Sequence, residues 1–374
     1  MSEYKLIKDC DIYTPLKSIK NGSILVQGEM IARIGMIDES KVPPQTRVFN
    51  FKNKLAVPGF IDIHLHGGGG IDFSEAPPEL IESALKVHLR NGTTSLLPSI
   101  MTAPHEQVLK ALKNLVSVRN KGKDIPEIIG INLEGPYISK EKSGAQRTHY
   151  IRKPSTAEVK DYLLAAEGSI RIMTVAPEAE GAEDFIRFLT EKGIIPSAGH
   201  TNASYDQTLR AEESGIRLAT HLFNAMRGIS HREPGAAGAL LLNDDVYTEL
   251  VADGIHLHPS IIDLVVRVKP IDKVILVTDA TKFFGIKKGP AFTSDGKLFG
   301  STTALGVALK NMVQFTGTPF KKVLRTVTLN PAKLLNIQDR KGALKKGSDA
   351  DIVILDKEFN VKEVFVKGKK VPAN

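Results

Sequence analysis

Residues 57–66 read Val57-Pro58-Gly59-Phe60-Ile61-Asp62-Ile63-His64-Leu65-His66, and Gly67 to Gly70 follow at once. The run from Phe60 to Leu65 is short, apolar and rich in branched side chains, and a glycine cluster closes it, which predicts a buried strand. Side chains alternate along a strand, so His64 and His66 project to the same side, one pleat apart. Two imidazoles at that spacing are able to hold one cation, and the glycines allow close approach of backbone or ligand. The glycine cluster also invites a phosphate-loop reading, but no Gly-Lys-Ser/Thr ending follows it.

Outward from this run the pattern repeats. Strand-like stretches at 94–98, 128–133, 170–175, 194–198, 217–221, 248–252 and 273–278 alternate with helical periodicity, as in Leu80-Ile81, Ala84-Leu85 and His88-Leu89. Eight strands alternating with helices over roughly 250 residues predict a closed (β/α)8 TIM barrel rather than an open doubly wound sheet. The two ends of the chain read differently. Residues 23–28, 31–35, 351–356 and 361–366 are short strands at glycine turns with no helical pattern between them. This predicts a small β-sandwich domain formed from both chain ends, residues 1–54 and 336–374, beside a barrel domain of residues 55–335.

Composition narrows the class. Of 374 residues, 25% are charged and 42% hydrophobic, an ordinary globular balance. The net charge of +8 permits a nucleic-acid partner, but lysine and arginine are scattered and only 6% of residues are aromatic, which argues against a base-stacking surface. A small anionic substrate fits the same charge. The lone Cys10 excludes an internal disulfide framework and a thiolate zinc cluster, and suits a reducing compartment. The first eleven residues are largely polar, and no apolar run is long enough to span a bilayer, so the expectation is a soluble cytoplasmic protein without a membrane partner.

In a TIM barrel, chemistry collects at the C-terminal ends of the strands. Here those ends carry His64 and His66, Glu134, His200, His221 and Asp279, while Asp253-Gly254-Ile255-His256 follows the seventh strand. Taken singly, a histidine at a strand end is more often a hydrogen-bonded structural residue, and an aspartate there commonly caps the next helix. Taken together, four histidines, one glutamate and one aspartate at five of eight strand ends predict a metal site. Imidazole and carboxylate ligands suit a divalent Zn, Fe, Mn or Co ion, one or two per subunit. An ion with an open position lowers the pKa of bound water to about 7, and Asp279 stands as the candidate general base and acid. Metal-assisted hydrolysis is the first reaction class.

A second group reads as an anion site: Asn224 and Ala225 after the sixth strand, then His231-Arg232-Glu233-Pro234-Gly235. A solvated surface loop explains the same residues equally well.

The run 58–67 and the tail 342–351 resemble the amidohydrolase superfamily. Leu133-Glu134-Gly135-Pro136-Tyr137, Gly199-His200-Thr201-Asn202, His221-Leu222-Phe223-Asn224-Ala225-Met226 and Val277-Thr278-Asp279-Ala280 resemble its N-acetylglucosamine-6-phosphate deacetylase branch. The resemblance implies Glu134, His200 and His221 as main metal ligands, His64 and His66 as ligands of a second ion, and Asp279 as the catalytic acid and base. It implies metal-bound hydroxide attacking the acetamide carbonyl, with acetate and glucosamine 6-phosphate as products. Ala145, Gln146, Asn224, Ala225, His256, Leu298, Phe299 and Gly300 would bind substrate, and Arg232 would reach the neighbouring active site of a homodimer. Gln146 stands where other members carry a histidine near the amide; a second metal ion or His149 would cover that role. Another amidase or deaminase of the superfamily is the alternative, although the strand ending Met173-Thr174-Val175 lacks the lysine that cyclic amidases carry there.

Overall fold

A computed structural model describes residues 3–122 and 124–372. Eight parallel strands run round a barrel in chain order: Phe60–Leu65, Thr93–Met101, Ile131–Glu134, Ile170–Val175, Ile195–Ala198, Leu218–Ala219, Tyr247–Leu250 and Val274–Leu276. The seam between the first and eighth strands is closed by hydrogen bonds. Asp279 N–H donates to His64 O at 2.9 Å, and His66 N–H donates to Ala280 O at 2.6 Å. Below them the Thr278 hydroxyl donates to the buried Asp62 carboxylate at 2.6 Å. The TIM barrel expected from eight strands is present.

The helices between strands turn their apolar stripes inward. Pro78–Arg90 starts with proline at its first turn and buries Ile81, Ala84, Leu85, His88 and Leu89. Tyr205–Ser214 is opened by a capping box between Ser204 and Gln207, which satisfies N–H groups left free by the first turn. The third strand departs from its expected single run: Glu127–Ile128 pairs with Ser95 and Leu96, whereas Asn132 pairs with Ser99. One extra residue therefore sits between the two pieces as a bulge, ahead of the segment that ends in Glu134.

The chain ends form one eight-stranded sheet with its own core. Its centre is Tyr4–Tyr13, which pairs antiparallel with Ser18–Gln27 and parallel with both Arg47–Asn50 and Leu55–Pro58. Leu55–Pro58 in turn pairs with Ile352–Leu355 from the far end of the chain. Strand Leu55–Pro58 thus lies in this terminal sheet, and the chain enters the barrel at Gly59. A Cβ at Gly59 would stand 2.0 Å from Thr94 Oγ1, so only glycine fits that junction. The strands of the expected sandwich are connected as a single sheet: the long strand has register shifts between Ile7 and Ile12, pairing with Arg47–Asn50 before them and with Leu55–Pro58 after them. Phe49 and Phe51 meet Phe365 edge-on across its interior, at 5.2 and 6.1 Å.

Charged residues join this sheet to the barrel. Buried Lys341 Nζ lies 2.6 Å from Asp351, 2.9 Å from Asp349 and 3.0 Å from Glu127, which opens the bulged strand. Among the described residues no helix is long and apolar enough to cross a membrane.

Candidate metal centre and active site

Six side chains from five strand ends meet in two triads: His64, His66 and Asp279, and Glu134, His200 and His221. Glu134 touches both. Its Oε1 lies 2.9 Å from His221 Nε2, 3.1 Å from His200 Nε2 and 3.3 Å from His64 Nε2, and its Oε2 lies 3.3 Å from His66 Nε2. Asp279 Oδ1 stands 3.3 Å from His66 Nε2. The backbone that aims these groups is strained. His200, His221, Ala225 and Asp279 have φ of 47°, 29°, 49° and 47°. Such non-glycine conformations cost about 1–3 kcal/mol each and turn the chain sharply at the strand ends.

The electrostatics ask for a cation. Glu134, Asp279 and Glu249 are paired only with histidines among the described ion pairs, with neither lysine nor arginine beside them. Burial alone would raise the Glu134 pKa, but His200, His64 and His66 hold it well below the carboxylate range. Asp279 is likewise brought to about 2, the hydrogen bond to His66 and the charges of His64 and His66 overcoming desolvation. Conversely, burial lowers the imidazoles, yet Glu249 and Glu134 lift His64 well above its ordinary value, and Glu134 and Asp279 lift His66 to about 9. Nε2 of His64 faces Nε2 of His66 at 3.2 Å, and Nε2 of His221 faces that of His200 at 3.2 Å. Nitrogens that close need a proton or a cation between them. This sulfur-free set of convergent Nε2 and carboxylate oxygens fits a divalent metal ion.

Supporting groups lie behind the ligands, and among them Glu249 was not singled out by the sequence reading. Glu249 accepts from His64 Nδ1 at 2.9 Å and from His221 N–H at 3.1 Å. The readable signal was a carboxylate inside an otherwise apolar strand. Lys142 O accepts from His200 Nδ1 at 3.0 Å, a main-chain contact that no residue pattern announces. Asp253 Oδ2 accepts from His256 Nδ1 at 2.7 Å. Against desolvation, that bond and the Asp253 charge raise the His256 pKa and favour its cationic form.

Above the triads is a cavity of about 340 Å³. Ala145, Gln146, Asn224, Ala225, His256, Leu298, Phe299 and Gly300 line it together with His66, Glu134, His200, His221 and Asp279; Met101, Thr281 and Lys297 join them unforeseen. His64 lies beneath, with no exposed surface. Gly300 is held by its φ of 55° and by Asp279 O, which a Cβ would approach to 2.4 Å. Gln146 has both ends of its amide engaged, donating to Glu134 Oε2 at 2.5 Å and accepting from Thr102 N–H at 2.8 Å. Two residues are not brought to this cavity. Arg232 is exposed and outside its lining. His149 is exposed against Tyr150, at 3.8 Å between ring centres, and does not take the place of the missing histidine.

With this geometry in view, the chain belongs to the amidohydrolase family, whose model matches residues 55–371. It is 34% identical to the N-acetylglucosamine-6-phosphate deacetylase of Bacillus subtilis over 98% of this chain and 97% of that one. It is 32% identical to the N-acetylgalactosamine-6-phosphate deacetylase of Escherichia coli O157:H7 over 84% of this chain and 87% of that one. Among solved structures, the N-acetylglucosamine-6-phosphate deacetylase of Pasteurella multocida superposes with a TM-score of 0.92 at 33% identity, covering 99% of this chain and 100% of that one.

Proposed function

We propose that the protein hydrolyses the acetamide of N-acetylglucosamine 6-phosphate, releasing acetate and glucosamine 6-phosphate. The observation that carries this reading is the meeting of both triads on one carboxylate, Glu134, at the floor of a sugar-sized cavity. Glu134, His200 and His221 would hold one divalent ion of the Zn, Fe, Mn or Co class, and His64, His66 and Asp279 a second. A bound ion supplies Lewis acidity, lowering the pKa of water and polarising a carbonyl.

The chain's own residues do the rest. The Asp279 carboxylate takes a proton from the water that attacks the acetamide carbon. As the C–N bond breaks, Asp279 returns that proton to the leaving nitrogen, and the amine and acetate separate. His256, held cationic by Asp253, receives the 6-phosphate together with the loop at Asn224 and Ala225. Leu298, Phe299 and Gly300 cover the sugar, and Ala145 and Gln146 line the opposite wall. In this proposal Arg232 points outward because it serves the phosphate of a neighbouring subunit in a homodimer. The terminal sheet, with Leu55–Pro58 as one of its strands, acts as a domain beside the barrel that begins at Gly59, and the enzyme works in the cytoplasm.

Other reactions of the family fit less well. The fourth strand ends in Met173-Thr174-Val175 with no lysine to bridge two ions, whereas Glu134 from the third strand reaches histidines of both triads and would serve in its stead. The test is acetate release by chelator-stripped protein reloaded with each metal. The panel is the 6-phosphates of N-acetylglucosamine and N-acetylgalactosamine, and unphosphorylated N-acetylglucosamine. Highest kcat/KM is expected for the first; no release from any substrate with any metal would overturn the proposal.

A further inference from the structure

We propose that Glu249, which belongs to neither triad, is a positioning residue that fixes His64 as a ligand and thereby completes a second cation site at His64, His66 and Asp279. This rests on the metal-centre reading above. Glu249 lies within the seventh strand, Tyr247–Leu250, with no exposed surface. Its Oε2 accepts the Nδ1–H of His64 at 2.9 Å. With Nδ1 as donor, the free lone pair of His64 is on Nε2, the atom that faces His66 Nε2 at 3.2 Å and Glu134 Oε1 at 3.3 Å. A carboxylate behind an imidazole selects one ring orientation and one tautomer and makes the ring a more basic ligand.

The other histidines of the cluster lack this support. Nδ1 of His200 meets a main-chain carbonyl, and Nδ1 of His66 and of His221 have no partner among the described residues. Glu249 Oε2 also holds the main-chain N–H of His221 at 3.1 Å, so one oxygen anchors a member of each triad. Its second oxygen, Oε1, is buried without a partner.

Glu249→Gln tests this directly, because the amide oxygen still accepts both hydrogen bonds while the charge is gone. Wild type and variant are stripped with chelator, compared by circular dichroism, and titrated with Zn²⁺, with bound metal counted by elemental analysis. Wild type is expected to take two ions per chain. The variant keeps the first at unchanged affinity and binds the second about 10–100-fold more weakly. Unchanged affinity for the second ion, equal weakening of both, or a single ion in wild type overturns the inference. Wild type that binds no zinc overturns the metal reading itself. Should the variant not fold, ¹⁵N resonances of the zinc-loaded wild type decide: a His64 protonated on Nδ1 is expected, and one protonated on Nε2 refutes the assignment.

Discussion

Gln146 and Glu134 are locked together: the amide of one donates to Oε2 of the other at 2.5 Å, while Thr102 N–H anchors the far end of the amide at 2.8 Å. The pair fixes which face of the carboxylate points at the histidines. Gln146→Ala frees Glu134 to rotate and leaves a main-chain N–H bare. A fall of about 10–100-fold in metal affinity is expected, with a matching loss in kcat/KM. Equilibrium dialysis against a zinc buffer measures the first quantity. Unaltered affinity would show that Gln146 only lines the cavity.

Asp279 Oδ1 stands 3.3 Å from His66 Nε2 and the residue faces the cavity. Asp279→Asn keeps the shape and removes the proton acceptor. We expect kcat to drop about 10²–10⁴-fold. The ion at Glu134, His200 and His221 should stay bound, because those three residues are untouched. A variant with near-parent turnover would remove Asp279 from the proton path.

Arg232 is exposed and outside the cavity lining, so the proposed shared phosphate site is tested on substrate binding and by mixing chains. Arg232→Ala should raise KM for the 6-phosphate by about tenfold or more and leave kcat near its parent value, as removal of uniform binding does. It should barely change KM for the unphosphorylated sugar. Mixing Arg232→Ala chains with Asp279→Asn chains should restore sites that combine an intact Asp279 with the partner's arginine. Mixtures no more active than the average of the two variants would count against a shared site.

Glu127 ties the bulged third strand to the terminal sheet through Arg340 and Lys341. Desolvation is outweighed there by the bond to Arg340 and the charge of Lys341, and the pKa falls to about 2. A carboxylate whose folded pKa lies below its unfolded value of about 4.3 stabilises fully above that value and loses the contribution as pH falls through the folded one. Glu127→Gln should therefore cost about 1.5–3 kcal/mol in urea unfolding at pH 7. The difference should shrink as pH approaches 2. A difference that does not vary with pH would place the effect in packing.

The barrel was legible because its strands are apolar runs with ionisable residues at their ends, and a strand end is where a barrel aims side chains. Glu134, His200, His221 and Asp279 could be named for that reason. What stayed hidden depends on backbone path. The change of partner along Tyr4–Tyr13 in the terminal sheet goes with register shifts that no alternation pattern marks. The placement of Leu55–Pro58 in that sheet follows from a partner some 300 residues away. Gln146 looked like a substrate contact, and only its two hydrogen bonds reveal how it grips Glu134. Glu249 was visible as an oddity inside a hydrophobic strand, but its purpose needed the ring of His64 beside it.

The seam between the first and eighth strands has a kinetic meaning. The bond from Asp279 N–H to His64 O belongs to the wall of the barrel and also sets the distance between two members of one triad. The wall therefore cannot breathe at that point without pulling the triad apart. An ion held by this triad would leave on local opening of the barrel: the off-rate of metal and the hydrogen-exchange rate of the Asp279 amide should rise and fall together across temperature and denaturant.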